Sequence, residues 1–160
     1  MEIGEQRKLK AAIQARQEIA EVIAMLDRHD PDIELDGGYP INHAMNYNRN
    51  EIVRYLVERG ADVNAKQDGH YTPLMSAAEG GNADMVALLL QHGADINATD
   101  KHGNTAFWKA VHGTHLEVVK LLVEAGADPF VLYRDVETMY DAAKGMGLDD
   151  IAAYFDTLRE

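Results

Sequence analysis

Cysteine is absent from all 160 residues, which excludes a disulfide framework and thiolate metal ligands. Serine occurs once, as Ser76, inside a helical pattern and without the strand–turn–helix setting of a nucleophile elbow. No stretch approaches the roughly 18 apolar residues of a membrane-spanning helix. The opening Met1-Glu2-Ile3-Gly4-Glu5-Gln6-Arg7-Lys8 lacks the apolar core of a secretory signal. Basic side chains are few beside acidic ones, 15 against 27, for a formal charge of −12. That balance repels phosphate backbones and anionic membrane surfaces, so neither nucleic acid nor membrane is an expected partner. Gly145-Met146-Gly147 lacks the third glycine and the preceding strand of a dinucleotide fingerprint. These absences point to a cytoplasmic protein that is not an enzyme and carries no cofactor.

Hydrophobic residues make up 46% of the chain and charged residues 26%, enough for one folded domain with a real core. The feature that organises the rest is a repeat. Gly60-Ala61-Asp62-Val63-Asn64-Ala65 returns as Gly93-Ala94-Asp95-Ile96-Asn97-Ala98 and, in part, as Gly126-Ala127-Asp128, each 33 residues after the last. A fixed period of that length means stacked supersecondary units.

From about Glu5 to His29, Leu9, Ala12, Ile13, Ile19, Val22, Ile23 and Leu26 recur at helical spacing. By analogy with the later units this stretch is read as two helices joined near Gln17. Asp30-Pro31 ends it, since the residue before proline leaves the helical region. Three units then begin short helices at Tyr39-Pro40-Ile41, Thr72-Pro73-Leu74 and Thr105-Ala106-Phe107. Threonine is a good N-cap, and proline suits the first helical position. A second helix follows in each, opening on Glu51, Asp84 and Glu117 to complement the helix dipole. Gly60, Gly93 and Gly126 stand where a helix end wants a left-handed residue. Thr138, Ala143 and Ile151 keep the register into a fourth, weaker unit.

Thr72-Pro73-Leu74, Ala77-Ala78, Gly81-Asn82, Val86, Leu88-Leu89-Leu90 and Gly93-Ala94-Asp95-Ile96-Asn97-Ala98 resemble the ankyrin repeat. The resemblance covers about residues 36 to 160. It implies an all-α solenoid of helix–turn–helix repeats with short β-turn fingers. The units are read as a divergent N-terminal cap over 1–35, central repeats over 36–68, 69–101 and 102–134, and a C-terminal capping repeat over 135–160. Departures from the family pattern mark a dedicated surface. Asn42, Met75 and Trp108 replace the family's histidine, and the turn glycine falls one place early at Gly69, leaving His70 in its slot.

The same resemblance implies a monomeric interaction module binding a folded protein on its concave face of finger tips and first helices. The charge of −12 suggests a basic partner; the alternatives are an immunity- or antitoxin-type inhibitor and a self-associating scaffold. Finger candidates are Asp68 and Tyr71, then Lys101, His102 and Asn104, then Arg134; helix candidates are Tyr47, Met75, Glu79, Trp108 and His112. Trp108 is either an interface anchor, the role tryptophan most often plays, or a ring packed between units. Neither of two candidate metal clusters has a complete ligand set. Asp30, Asp32, Glu34 and Asp36 lack the glycine and final glutamate of a calcium loop, and His112/His115 have no acidic ligand beside them in sequence.

Overall fold

Pairs of antiparallel helices recur along the chain in the computed structural model, which describes residues 3–15, 17–133 and 137–159. The N-terminal apolar stripe forms two helices, α1 (Ile3–Gln14) and α2 (Ile19–Leu26). The pairs α3 (Pro40–Asn46) with α4 (Asn50–Glu58), α5 (Pro73–Glu79) with α6 (Ala83–Gln91), and α7 (Ala106–His112) with α8 (Leu116–Glu124) follow. The last pair is α9 (Met139–Gly145) with α10 (Asp149–Thr157). First helices α1, α3, α5, α7 and α9 pack in series to make one layer, and second helices α2, α4, α6, α8 and α10 make the other. Among the described residues the sheet content is one small hairpin, β1 (Leu132–Tyr133) paired antiparallel with β2 (Glu137–Thr138). Two earlier fingers close on single bridges, Leu35 to Gly38 and Gln67 to Tyr71. The architecture is an all-α solenoid.

Local chemistry sets the helix starts. Thr72, Thr105 and Thr138 accept the N–H of Met75, Trp108 and Asp141 at 3.3, 3.2 and 3.0 Å. Each such cap contributes about 1 kcal/mol. The first unit has Tyr39 in that slot, and Asn42 Oδ1 accepts the Tyr39 N–H at 3.2 Å instead. Asn42 Nδ2 also donates to the Ala65 carbonyl at 2.9 Å, tying unit one to the next finger.

The recurring Gly-Ala-Asp segment joins one unit to the next. Gly60, Gly93 and Gly126 have φ of 85°, 85° and 108°. Asp62, Asp95 and Asp128 each accept the backbone N–H two residues on, at 2.8, 2.9 and 2.8 Å. Asn64 bridges units by accepting the Asp95 N–H at 2.7 Å and donating to the Gly93 carbonyl at 3.1 Å. In the same way Asp32 accepts the Asp62 N–H at 2.8 Å, so a carboxylate of the acidic loop serves as a joint. Asp36, in the same loop, pairs with Lys10 of α1 at 3.3 Å.

Between the two helices of a pair a second left-handed slot recurs, filled by Asn48, Gly81, Thr114 and Gly147. At Gly81 there is no room for more: a Cβ would sit 2.5 Å from His115 Nδ1. His115 lies there because its Nε2–H donates to the Glu79 carbonyl at 2.9 Å, closing the end of α5. Thr114, at φ 61°, is a β-branched residue in a region that disfavours Cβ. Thr114→Gly is therefore expected to raise stability by about 1 kcal/mol, read from the urea midpoint at unchanged slope.

The core runs the length of the stack. Val53, Leu56, Val86, Leu89, Val119 and Leu122 are fully buried on the second helices. At the C-terminal end Phe155 is buried, its ring centroid 6.0 Å from that of Phe107. At the N-terminal end Arg49 donates to the carbonyls of Ile13, Ala15 and Gln17 where α1 stops.

His43 is a polar residue inside this core, 5% exposed. Its Nδ1 faces the Gln14 amide at 3.4 Å, and its Nε2 has no hydrogen-bond partner among the described residues. Burial, and then the Lys10 ammonium, hold it below the usual histidine range; Asp36 acts in the opposite sense. The folded state therefore binds fewer protons than the unfolded chain just below the ordinary value of about 6.5. Stability is fully present above that value and falls as pH drops toward the lowered one. His43→Met is expected to flatten this part of the pH–stability profile in denaturant titrations; an unchanged slope would contradict the assignment.

Candidate partner-binding face

Fingers lead into first helices, so the finger tips and the outward strip of α3, α5, α7 and α9 belong to one face. At its centre is a residue that sequence reasoning passed over. Lys109 Nζ lies 3.2 Å from Asp100 Oδ2 and 3.7 Å from Glu79 Oε1. It also stands 4.9 Å from the ring centroid of Tyr71 and 5.7 Å from that of Trp108. One ammonium thus joins the second finger (Tyr71), the end of α5 (Glu79), the third finger (Asp100) and α7 (Trp108).

Burial gives this cluster its rigidity. The Lys109 side chain is 12% exposed and that of Asp100 is 4% exposed. Burial alone would raise the Asp100 carboxyl. The Asn104 and His102 N–H donors and Lys109 outweigh it and hold that carboxyl below its usual range. The Tyr71 hydroxyl donates to Glu79 Oε2. Burial first, and then Glu79, push the Tyr71 phenol up, which keeps it a donor.

Trp108 is half-buried. Its ring stacks on His112 at 3.7 Å between centroids and 17° between planes, and lies 6.4 Å from the Tyr133 ring of the last finger. His112 is exposed and anchored by its Nδ1–H, which donates to the Trp108 carbonyl at 3.0 Å. The slot of Trp108 is occupied by Asn42 and Met75 in the two earlier units, 1% and 0% exposed. Tryptophan is too large for that slot, and its ring continues out over His112.

The remaining sequence candidates divide by burial. Tyr47, Asp68, Glu79, Lys101 and His102 are exposed. Met75 is not on the face: α5 is enclosed by α3, α6 and α7, and Met75 belongs to the core. Asn104, 8% exposed, also turns inward. Its Nδ2 donates to Asp100 at 3.3 Å and its Oδ1 accepts the Tyr133 hydroxyl at 2.6 Å, so it fastens one finger to the next. Both are corrections to their assignment as contact residues. Arg134 lies outside the described residues. The signal for Lys109 was its register: it follows His43 and Ser76 at 33-residue steps, a slot facing the preceding unit.

Among the described residues no group of three or more His, Asp and Glu could hold a metal ion. No helix among the described residues is long and apolar enough to cross a membrane.

Helix pairs, left-handed joints and fingers at a 33-residue period define a helical-repeat protein. The family model described as ankyrin repeats (3 copies) matches residues 65–132, and that of the single ankyrin repeat matches residues 36–65. The chain belongs to the ankyrin-repeat family, whose repeats generally mediate protein–protein interaction and are generally non-catalytic. No curated protein matches it.

The Lys109 cluster makes a direct prediction. Lys109→Met strips a buried carboxylate of its counter-charge and is expected to cost about 3 kcal/mol. Adding Asp100→Asn should recover part of that loss, measured by urea unfolding of the single and double variants.

Proposed function

We propose that this protein is a monomeric, cytoplasmic binding module that holds a folded partner protein against its finger face. Residues 1–35 and 135–160 serve as capping units. The observation that carries this reading is the cluster around Lys109. Buried ion pairing and hydrogen bonds lock the second and third fingers to α5 and α7, and leave Trp108, His112 and Glu79 at the surface of a pre-organised support. A rigid face loses little conformational freedom on association, so a few anchors can dominate the affinity. Trp108 and Tyr71 are the proposed anchors, with Glu79, His112, Lys101, His102, Asp68 and Tyr47 around them.

A second reading, an immunity- or antitoxin-type inhibitor of a basic toxin or enzyme, draws on the charge of −12. It requires a complex that weakens steeply with added salt, because attraction between exposed charges is screened. A complex indifferent to salt removes it.

Affinity capture from the native cell tests the main reading. The intact chain is compared with a Trp108→Ala/Tyr71→Ala/Lys101→Ala variant. The expected result is loss of the captured partner at unchanged helical circular dichroism. Capture that survives the triple substitution places the binding surface elsewhere.

A further inference from the structure

The tips of the second and third fingers carry a charge opposite to that of the molecule. Lys66, His70, Lys101 and His102 are exposed there, and Asp68 is the acid exposed among them. The other carboxylate of these two tips, Asp100, is buried and answered by Lys109. Neither Lys66 nor Lys101 takes part in an ion pair among the described residues. In a chain with 27 acidic and 15 basic side chains, a basic ridge runs against composition.

The ridge is also fixed in place. The Lys101 N–H donates to the Gly69 carbonyl at 2.8 Å, a backbone bond from one finger tip to the next. The Lys101 stem lies across Gly69: a Cβ there would stand 3.4 Å from Lys101 Cδ. This contact gives the early glycine a purpose, since it lets Lys101 cross the neighbouring finger. Gly69 and His70 both turn left-handed, with φ of 76° and 63°, which sets His70 at the tip. A histidine held in that conformation is a local strain of the kind found at binding surfaces.

We infer that this ridge receives carboxylates from an acidic segment of the partner protein, while the Trp108–His112 stack below it takes an apolar side chain of the same segment. The inference rests on the finger face being the binding surface. It assigns the partner's contact chemistry from the local charge, where net charge alone suggests a basic one. A polyanion such as RNA is disfavoured, because its long charged backbone meets the −12 of the whole molecule as well as the ridge.

Fluorescence anisotropy with defined probes tests it. The probes are labelled 15-residue peptides with one shared set of apolar residues and with glutamate, glutamine or lysine at the remaining positions, plus a 20-nucleotide RNA. The glutamate peptides should bind the full chain at least tenfold more tightly than their glutamine counterparts. Lys66→Glu/Lys101→Glu should erase that preference, and the surface location of both residues should leave helical content unchanged. Trp108→Ala should weaken the glutamate and glutamine peptides alike. Absent or equal binding of the glutamate peptides, a preference for lysine, or tighter binding of the RNA through the same lysines overturns the inference. If the glutamate preference persists but Trp108→Ala has no effect, the ridge stands and the reading of the Trp108 face fails.

Discussion

A helix pair of this kind has apolar side chains on both flanks and can bury them only by stacking on another pair. α5 shows the consequence most plainly, with α3 on one side, α7 on the other and α6 behind. Stability in such an array is a sum of unit and junction terms, so the joints between units matter as much as the helices. The Gly-Ala-Asp segment is that joint. A left-handed glycine ends the second helix, an aspartate folds the next two residues back, and Asn64 or Asp32 binds across to the following unit.

One junction does more than packing requires. Between the second and third units an ammonium and a carboxylate replace apolar contact, with two aromatic rings around them. A buried pair of this sort is a weak source of stability and can act as a source of geometric definition. Here it fixes the relative position of two fingers and the ring that projects below them. The same junction also joins those two finger tips, Gly69 to Lys101, by a backbone hydrogen bond. Rigid support and exposed chemistry therefore coincide in one place along the stack.

Most of the fold was legible because the repeat is written in residue types with one physical meaning each. Threonine at the caps, glycine at the left-handed ends and aspartate at the turns report backbone conformation directly. The site was legible only in part. Spacing of four residues puts Met75 and Glu79 on one helical face, yet Met75 is buried, because the flanking helices leave only a narrow free strip. Asn104 reads as a finger-tip residue and instead turns inward to Asp100 and Tyr133. Lys109 and His43 do not stand out by residue type, since most of their surroundings come from other units; the 33-residue register they share is the one mark they carry. Trp108 is half-buried: part of the ring packs toward Tyr133 and part continues over His112.

The central claim is that a partner covers the fingers and first helices of the second and third units. Amide hydrogen exchange on the chain, alone and saturated with its captured partner, tests this most directly. The account predicts slowed exchange over residues 66–71 and 99–108, with α4, α6, α8 and α10 unchanged. Protection confined to those second helices, with the two fingers exchanging as before, would contradict it.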